Sequence, residues 1–262
     1  MPRPLRPPPL RVLSQNILQG GEGRLPLLRL RIQACRPDLL ALQECLGWSP
    51  ADLAELGAAL GLPHSALGAA RPRGSGARYH VGLLSRWPLS QVAVLADPAW
   101  QGHALLEARV ARPGAPLRML VTHFDSHNEE ARLREVEALR RHLGDLRGEI
   151  VLAGDLNAIS PHDPYPDDLA QRVLRAGVDK YGHPPRFDVM KALLADGWID
   201  LLAHRPAGSP WVTAPRDRGG VHIDWRTDYI LASPALARWP AQAEVVDMSE
   251  ASDHHGVLAV LG

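Results

Sequence analysis

Lysine is nearly missing from this 262-residue chain: among its 29 basic residues only Lys180 and Lys191 are lysine, and the rest are arginine. Guanidinium groups suit bidentate contacts to phosphate, but so general a bias can equally be compositional, so by itself it names no ligand. Net charge is missing as well, since 29 acidic residues balance the 29 basic ones. Without an overall field the chain is not built as a tight, non-specific binder of nucleic acid or membrane, although a nuclease stays open. Cysteine is scarce: Cys35 and Cys45, either side of an expected strand, give neither a zinc site nor a disulfide framework. No run approaches the ~18 apolar residues that span a bilayer, and the Pro- and Arg-rich start lacks the apolar stretch of a secretion signal. These shortages predict a cytoplasmic, monomeric protein, with a flexible proline-rich segment over residues 1–9 and one domain over residues 10–262.

What is present is an ordinary apolar content, 45% hydrophobic residues against 22% charged, arranged as strands with helices between them. Residues 10–16 read as a short buried strand, and residues 25–35 have helical spacing stopped by Pro37-Asp38. Residues 39–42 are a second apolar strand ending at Gln43-Glu44, and residues 52–60 a helix closed by Gly61. Residues 79–84, 91–95 and 105–110 read as strands of a meander. Residues 117–121 form a strand ending at Thr122-His123. Residues 128–143 are a periodic helix with Leu133, Val136, Leu139 and Leu143 on one stripe and its arginines on a solvated face. Residues 150–153 run as a strand into Gly154-Asp155. A helix at 188–194 and strands at 229–232 and 256–261 follow. Residues 160–185 are Pro/Asp-rich and too long for a plain connection. They carry His162, Asp163, Tyr165, Arg172 and Lys180 and are read, with a stiff extended start, as a substrate-facing element or equally as a bystander. No internal repeat stands out, and the irregular mixture predicts layered sheets covered by helices.

The informative observation is positional. Asn16, Glu44, His123 and Asp155 each follow the C-terminal end of an apolar strand, whereas Asp228 and the pair Asp253-His254 stand just before the N-terminal end of one. In antiparallel or mixed sheets the exit of one strand and the entry of its neighbour share an edge, so these groups can converge at one rim. Oxygen-rich ligands suit a hard cation such as Mg²⁺ or Mn²⁺, which neutralises phosphoryl oxygens. A carboxylate can orient or deprotonate water there, and an imidazole can donate to a phosphate or a leaving group.

Gly154-Asp155-Leu156-Asn157, Ser252-Asp253-His254, Gln43-Glu44, Thr122-His123 and Arg226-Thr227-Asp228-Tyr229, with Asn16 after the first strand, stand in the order used by the endonuclease/exonuclease/phosphatase superfamily. The chain resembles that family from residue 12 to residue 254. The resemblance implies a four-layer α/β sandwich: two packed mixed or antiparallel β-sheets flanked by helices, with the site at one end. It implies Glu44 as the first metal ligand, with Asn16 and Asp253 beside it, and Mg²⁺ as the ion, with Mn²⁺ able to substitute. It implies that Asp155 positions the attacking water, that Asn157 contacts phosphate or water, and that His254 touches the scissile phosphate while Asp228 holds its tautomer. His123 is the second imidazole, a general acid or phosphate ligand. Apurinic-type repair nucleases carry an aspartate where this chain has Leu18 and lack the histidine at position 123. The chain therefore looks closer to the branch of pancreatic-type deoxyribonuclease, sphingomyelinase-like and inositol-phosphatase-like enzymes. No carboxylate partner of His123 can be placed; His80 lies roughly where some members carry one. Arg226, His80 and His222 are taken as substrate contacts.

The activity so implied is metal-dependent hydrolysis of a phosphoester, a phosphodiester before others, by direct attack of activated water. Its substrate stays open between nucleic acid and a small or lipid phosphoester, with the neutral charge tilting away from long duplexes. The alternative is a binding or scaffold protein that keeps the fold without catalysis, against which the intact Glu44, Asp155, Asn157, Asp253 and His254 argue. Outside these motifs plainer readings hold. Asp125 and His127 cap the helix at 128; His162, Asp163 and Asp167 are solvated loop residues; His255 faces away from the site; Trp211 and Trp225 are core or loop anchors.

Overall fold

The computed structural model describes residues 9–72, 75–95, 103–237 and 241–262. Apart from Pro9, the proline-rich start expected to be flexible lies outside them. In chain order the strands are β1 (Leu10–Asn16), β2 (Leu39–Leu46), β3 (His64–Gly68), β4 (Tyr79–Ser85), β5 (Leu89–Leu95), β6 (Leu105–Val110) and β7 (Leu117–His123). They continue with β8 (Ile150–Asp155), β9 (Ile199–Asp200), β10 (Arg216–Arg218), β11 (Val221–Ile223), β12 (Asp228–Ala232), β13 (Ala241–Val246) and β14 (Gly256–Leu261). The helices are α1 (Leu25–Cys35), α2 (Pro50–Leu60), α3 (Glu129–Leu143), α4 (Leu169–Arg175), α5 (Asp188–Ala195) and α6 (Pro234–Ala237). Two six-stranded sheets result, ordered β13-β14-β1-β2-β4-β3 and β5-β6-β7-β8-β12-β9, with β10 and β11 as a separate hairpin. Both sheets are mixed: β1 runs parallel to β2 and β7 parallel to β8, and the remaining pairs are antiparallel.

Alternation along the central strands shows why the layers stack as they do. Successive side chains of a strand point to opposite faces. Val12, Leu39 and Ala41 accordingly join Met119, Val121, Val151 and Ala153 in a core between the sheets. Their neighbours Leu13, Leu40 and Leu42 face outward onto Leu28 and Ile32 of α1 and Leu53 of α2. On the other sheet Leu120, Ile150 and Leu152 face outward onto Val136 and Leu139 of α3 and Val189 and Leu193 of α5. Strands buried on both faces read as continuous apolar runs, which is the pattern of LRVL and IVLA. The architecture is the four-layer α/β sandwich. Among the described residues no helix is long and apolar enough to cross a membrane.

Three expectations change. Residues 79–84, 91–95 and 105–110 do not form a meander: β4 pairs with β2 and β3 in one sheet, while β5 and β6 pair in the other. β2 does not stop at Gln43-Glu44 but runs on to Leu46, with its register against β4 broken between Leu42 and Cys45. Within that bulge Glu44 takes a left-handed φ of 60°, and bulges of this kind re-aim a side chain. Finally, the arginines of α3 are not all solvated, because Arg132 is fully buried.

Candidate active site

The rim is built from strand ends in register. His123 at the end of β7 pairs with Asp155 at the end of β8, and Asp155 pairs with Asp228 at the start of β12. Gly154 is required one residue earlier: at φ 158° it lies opposite Thr122, and an added Cβ would stand 1.9 Å from the Thr122 carbonyl oxygen. The other sheet brings Asn16 from the end of β1, Glu44 from the bulge, and the Ser252–His254 turn that leads into β14. Asn16 Nδ2 links the two sheets, donating to Asp155 Oδ2 at 3.1 Å and to Glu44 Oε1 at 3.3 Å.

Asp155 is the hub. Its Oδ1 accepts the Asn157 backbone N–H at 2.9 Å, and its Oδ2 lies 3.3 Å from His123 Nε2 and 3.9 Å from His254 Nδ1. Burial alone would push its pKa up, but the imidazoles of His123 and His254 outweigh that and hold the carboxyl well below the usual range. His254 Nδ1 is 2.8 Å from Asp228 Oδ2. Burial pulls the pKa of that imidazole down, yet Asp228 and Asp155 together raise it to about 9. Its Nδ1 is thus committed to Asp228, leaving Nε2 as the atom able to meet a ligand. The Asn157 amide nitrogen donates to the Phe124 carbonyl at 3.1 Å and lies 3.0 Å from His123 Nε2. Among the described residues His123 has no carboxylate at Nδ1, a buried atom for which they offer no hydrogen-bond partner. Its ring instead stacks on His103, with centroids 3.7 Å apart and planes 9° from parallel. Sequence reasoning missed His103, which carries no motif of its own.

The donors suit a hard divalent ion. Glu44 and Asp253 line the cleft, and the buried Asp253 Oδ1 has no hydrogen-bond partner among the described residues. Asn16, expected as a ligand, accepts the Leu18 N–H at 3.0 Å on its amide oxygen, which keeps a second lone pair. Its amide nitrogen bridges the carboxylates of Glu44 and Asp155. Asp155, Asp228 and His254 also bring ligand atoms within 4.8 Å of one another. The closest pair among them is already spent on the His254–Asp228 contact, so that trio is better described as a hydrogen-bonded relay.

These groups open into a cleft of about 750 Å³. Its walls hold groups the motifs did not point to: His103, Lys180 in the Gly177–Tyr181 segment, and Arg216 of the β10–β11 hairpin. Arg216 Nη1 lies 2.8 Å from Asp253 Oδ2. The 160–185 stretch divides in two. Its first half is structural: Leu169 and Val173 pack with Ile159, Tyr181 and Trp225, and helix α4 begins only after the non-helical start over residues 161–168. Its second half lines the cleft. Asp125 accepts the backbone N–H groups of His127 and Asn128, and Asn128 caps α3.

Three expected substrate contacts lie outside the cleft lining. Arg226 is fully buried, with Nη2 2.6 Å from Asp200 Oδ2 and Nε 2.8 Å from Asp163 Oδ2. The same contact corrects the reading of Asp163 as a solvated loop residue. His80 is buried in β4, where its Nδ1 accepts the Ala70 N–H at 2.9 Å. His222 is exposed between Asp217 and Asp224, at 2.9 and 3.1 Å. Removing one partner of a buried ion pair leaves an uncompensated charge, at a cost of roughly 3–5 kcal/mol. Arg226→Met is therefore expected to destabilise the fold by about that much, visible as a lower denaturation midpoint. An unchanged midpoint would contradict a structural role for Arg226.

From residue 13 to residue 254 the sequence matches the model of the Endonuclease/Exonuclease/phosphatase family. No curated protein matches the sequence. Several solved structures share the fold. An AP endonuclease from Archaeoglobus fulgidus superposes with a TM-score of 0.69 at 20% identity, covering 96% of this chain and 99% of that one. A family protein from Leptotrichia buccalis gives 0.71 at 12% identity, over 97% and 99% of the two chains. The 3' phosphatase NExo from Neisseria, bound to a product DNA hairpin, gives 0.67 at 21% identity, over 97% and 99%. At these identities the likeness is one of fold, and it reaches an AP endonuclease, so it does not separate the branches.

Proposed function

The chain belongs to the Endonuclease/Exonuclease/phosphatase family, whose members are hydrolases of phosphoester bonds, and from that premise we propose that it is a divalent-metal-dependent phosphoester hydrolase, acting on a phosphodiester before others, by direct attack of water. One observation carries the reading: the depressed carboxyl of Asp155 sits within 4 Å of both imidazoles at the edge of an open cleft. A carboxylate so stabilised is a weak proton acceptor, so Asp155 orients the attacking water more than it deprotonates it. His254, kept charged by Asp228, donates from Nε2 to a phosphoryl oxygen. Asn157 and His123 flank the same position. Glu44 and Asp253 would hold the ion, Mg²⁺ or Mn²⁺ by the chemistry of their oxygens, and when bound it supplies charge neutralisation at the phosphoryl group.

The cleft falls within the range of small-ligand sites, and a structural neighbour carries product DNA. The substrate is accordingly a nucleic-acid end or a small or lipid phosphodiester. A panel of plasmid DNA, RNA, a 3'-phosphorylated oligonucleotide, sphingomyelin and inositol phosphates, each with Mg²⁺ and with chelator, tests this. At least one should be hydrolysed only when the metal is present. If the folded protein hydrolyses none of them, the reading fails in favour of a catalytically silent scaffold.

A further inference from the structure

One of the chain's two lysines is held at the mouth of the site by a buried clamp. Lys180 Nζ donates to Asn157 Oδ1 at 3.0 Å and lies 4.9 Å from the centroid of the Tyr181 ring. The backbone beneath it is fixed from α3. Arg132, fully buried, donates to the Lys180 carbonyl, pairs with Glu129 at 2.8 Å and stands 5.7 Å from the Tyr181 ring centroid. Glu129 in turn accepts the Val189 N–H of α5 at 3.1 Å. On either side, the Asp179 and Tyr181 carbonyls accept the N–H groups of Gly182 and Arg186, each at 2.8 Å. Burying a guanidinium and a carboxylate costs several kcal/mol, and this fold carries that cost where a passive surface loop would need no such anchor.

The ammonium so placed has charge to spare. Its hydrogen-bond partner is a neutral amide oxygen, and no carboxylate of the described residues lies within ion-pair distance of Nζ. Arg216, the neighbouring cation on the cleft wall, is by contrast already paired with Asp253. Lys180 is half-buried, and burial pulls its pKa down to about 8 against the opposing pull of Asp155. A cation with a neutral partner, facing a cleft, is poised for an anion.

We propose that Lys180 is a substrate-binding residue whose ammonium takes a non-bridging oxygen of the phosphoryl group, with Asn157 holding it in place until the substrate arrives. The proposal rests on the phosphoesterase reading, and the experiment keeps the two apart. Lys180→Met, Lys180→Arg and the exposed control Lys191→Ala are compared in two assays: kcat/KM on a phosphoester, and binding of inorganic phosphate by calorimetry with Mg²⁺ present. Hydrogen bonds to charged groups contribute ~1.5–3 kcal/mol, so Lys180→Met should lose roughly 10- to 100-fold in kcat/KM and weaken phosphate binding. Lys180→Arg should recover part of both, and Lys191→Ala should match wild type. In an Asn157→Ala background the Lys180→Met loss of phosphate affinity should persist. If it vanishes there, Lys180 only positions Asn157 and the proposal is overturned. A wild type that hydrolyses phosphoesters while Lys180→Met is unchanged in both assays also overturns it and leaves the phosphoesterase reading standing. A wild type that binds phosphate through Lys180 yet hydrolyses nothing keeps the proposal and removes that reading.

Discussion

Asp155→Asn is expected to lower phosphoester turnover by roughly 10²- to 10⁴-fold, the range for a positioned group that acts on the reacting proton or water. The substitution keeps the shape and the Asn157 N–H contact but removes the charge that meets Asn16, His123 and His254. It should also show in stability. The native carboxyl is held well below the ordinary value of ~3.9. Its charged form therefore stabilises the fold above that ordinary value, and the contribution is lost as pH falls through the depressed one. The variant should thus be less stable than wild type at neutral pH, with the gap narrowing toward strong acid. Turnover within a few-fold of wild type in a folded Asp155→Asn protein would remove Asp155 from the centre of the site.

The second large effect belongs to a pair. His254→Ala should depress turnover more than Asp228→Asn, because in the proposed mechanism the imidazole would meet the phosphoryl group whereas the carboxylate, 2.8 Å from Nδ1, would set its tautomer and charge. A general acid or donor of this kind contributes about 10²- to 10⁴-fold. The double variant should be scarcely worse than His254→Ala alone, since residues that act as a unit lose most of their value together. If the double loss equals the product of the single losses, the two residues work independently and the relay is wrong.

Much of this was legible in the residues, for reasons that differ from place to place. LRVL and IVLA stand out because central strands buried on both faces are apolar throughout, and the polar residues that end them had to lie at one rim. The four-layer sandwich came from the family resemblance and holds. What stayed hidden depends on partners far along the chain. Arg226 meets Asp200 and Asp163, 26 and 63 residues away, and no local pattern separates such a buried pair from a surface arginine beside a site. Arg132 follows the same logic, reaching the Lys180 carbonyl 48 residues on. β3, β13 and the three-residue strands β10 and β11 were missed because edge and hairpin strands face water and carry weak patterns. β13, for instance, alternates half-buried and exposed positions over Ala241–Val245 and has no fully buried residue. His103 joins the site by stacking on His123, a contact without a sequence signature. The bulge that turns Glu44 toward Asn16 likewise cannot be told from a strand end, since both place a polar residue after an apolar run.

The central claim is that an ion held at Glu44 drives phosphoester cleavage at this rim. It is met most directly by following turnover of bis-p-nitrophenyl phosphate as Mg²⁺ is titrated into chelated protein, wild type beside Glu44→Gln. The account predicts turnover that rises to saturation with the metal, is abolished by chelator, and in Glu44→Gln requires clearly more Mg²⁺ while the fold is intact by circular dichroism. Turnover that persists in chelator, or a Glu44→Gln titration superimposable on wild type, would contradict it.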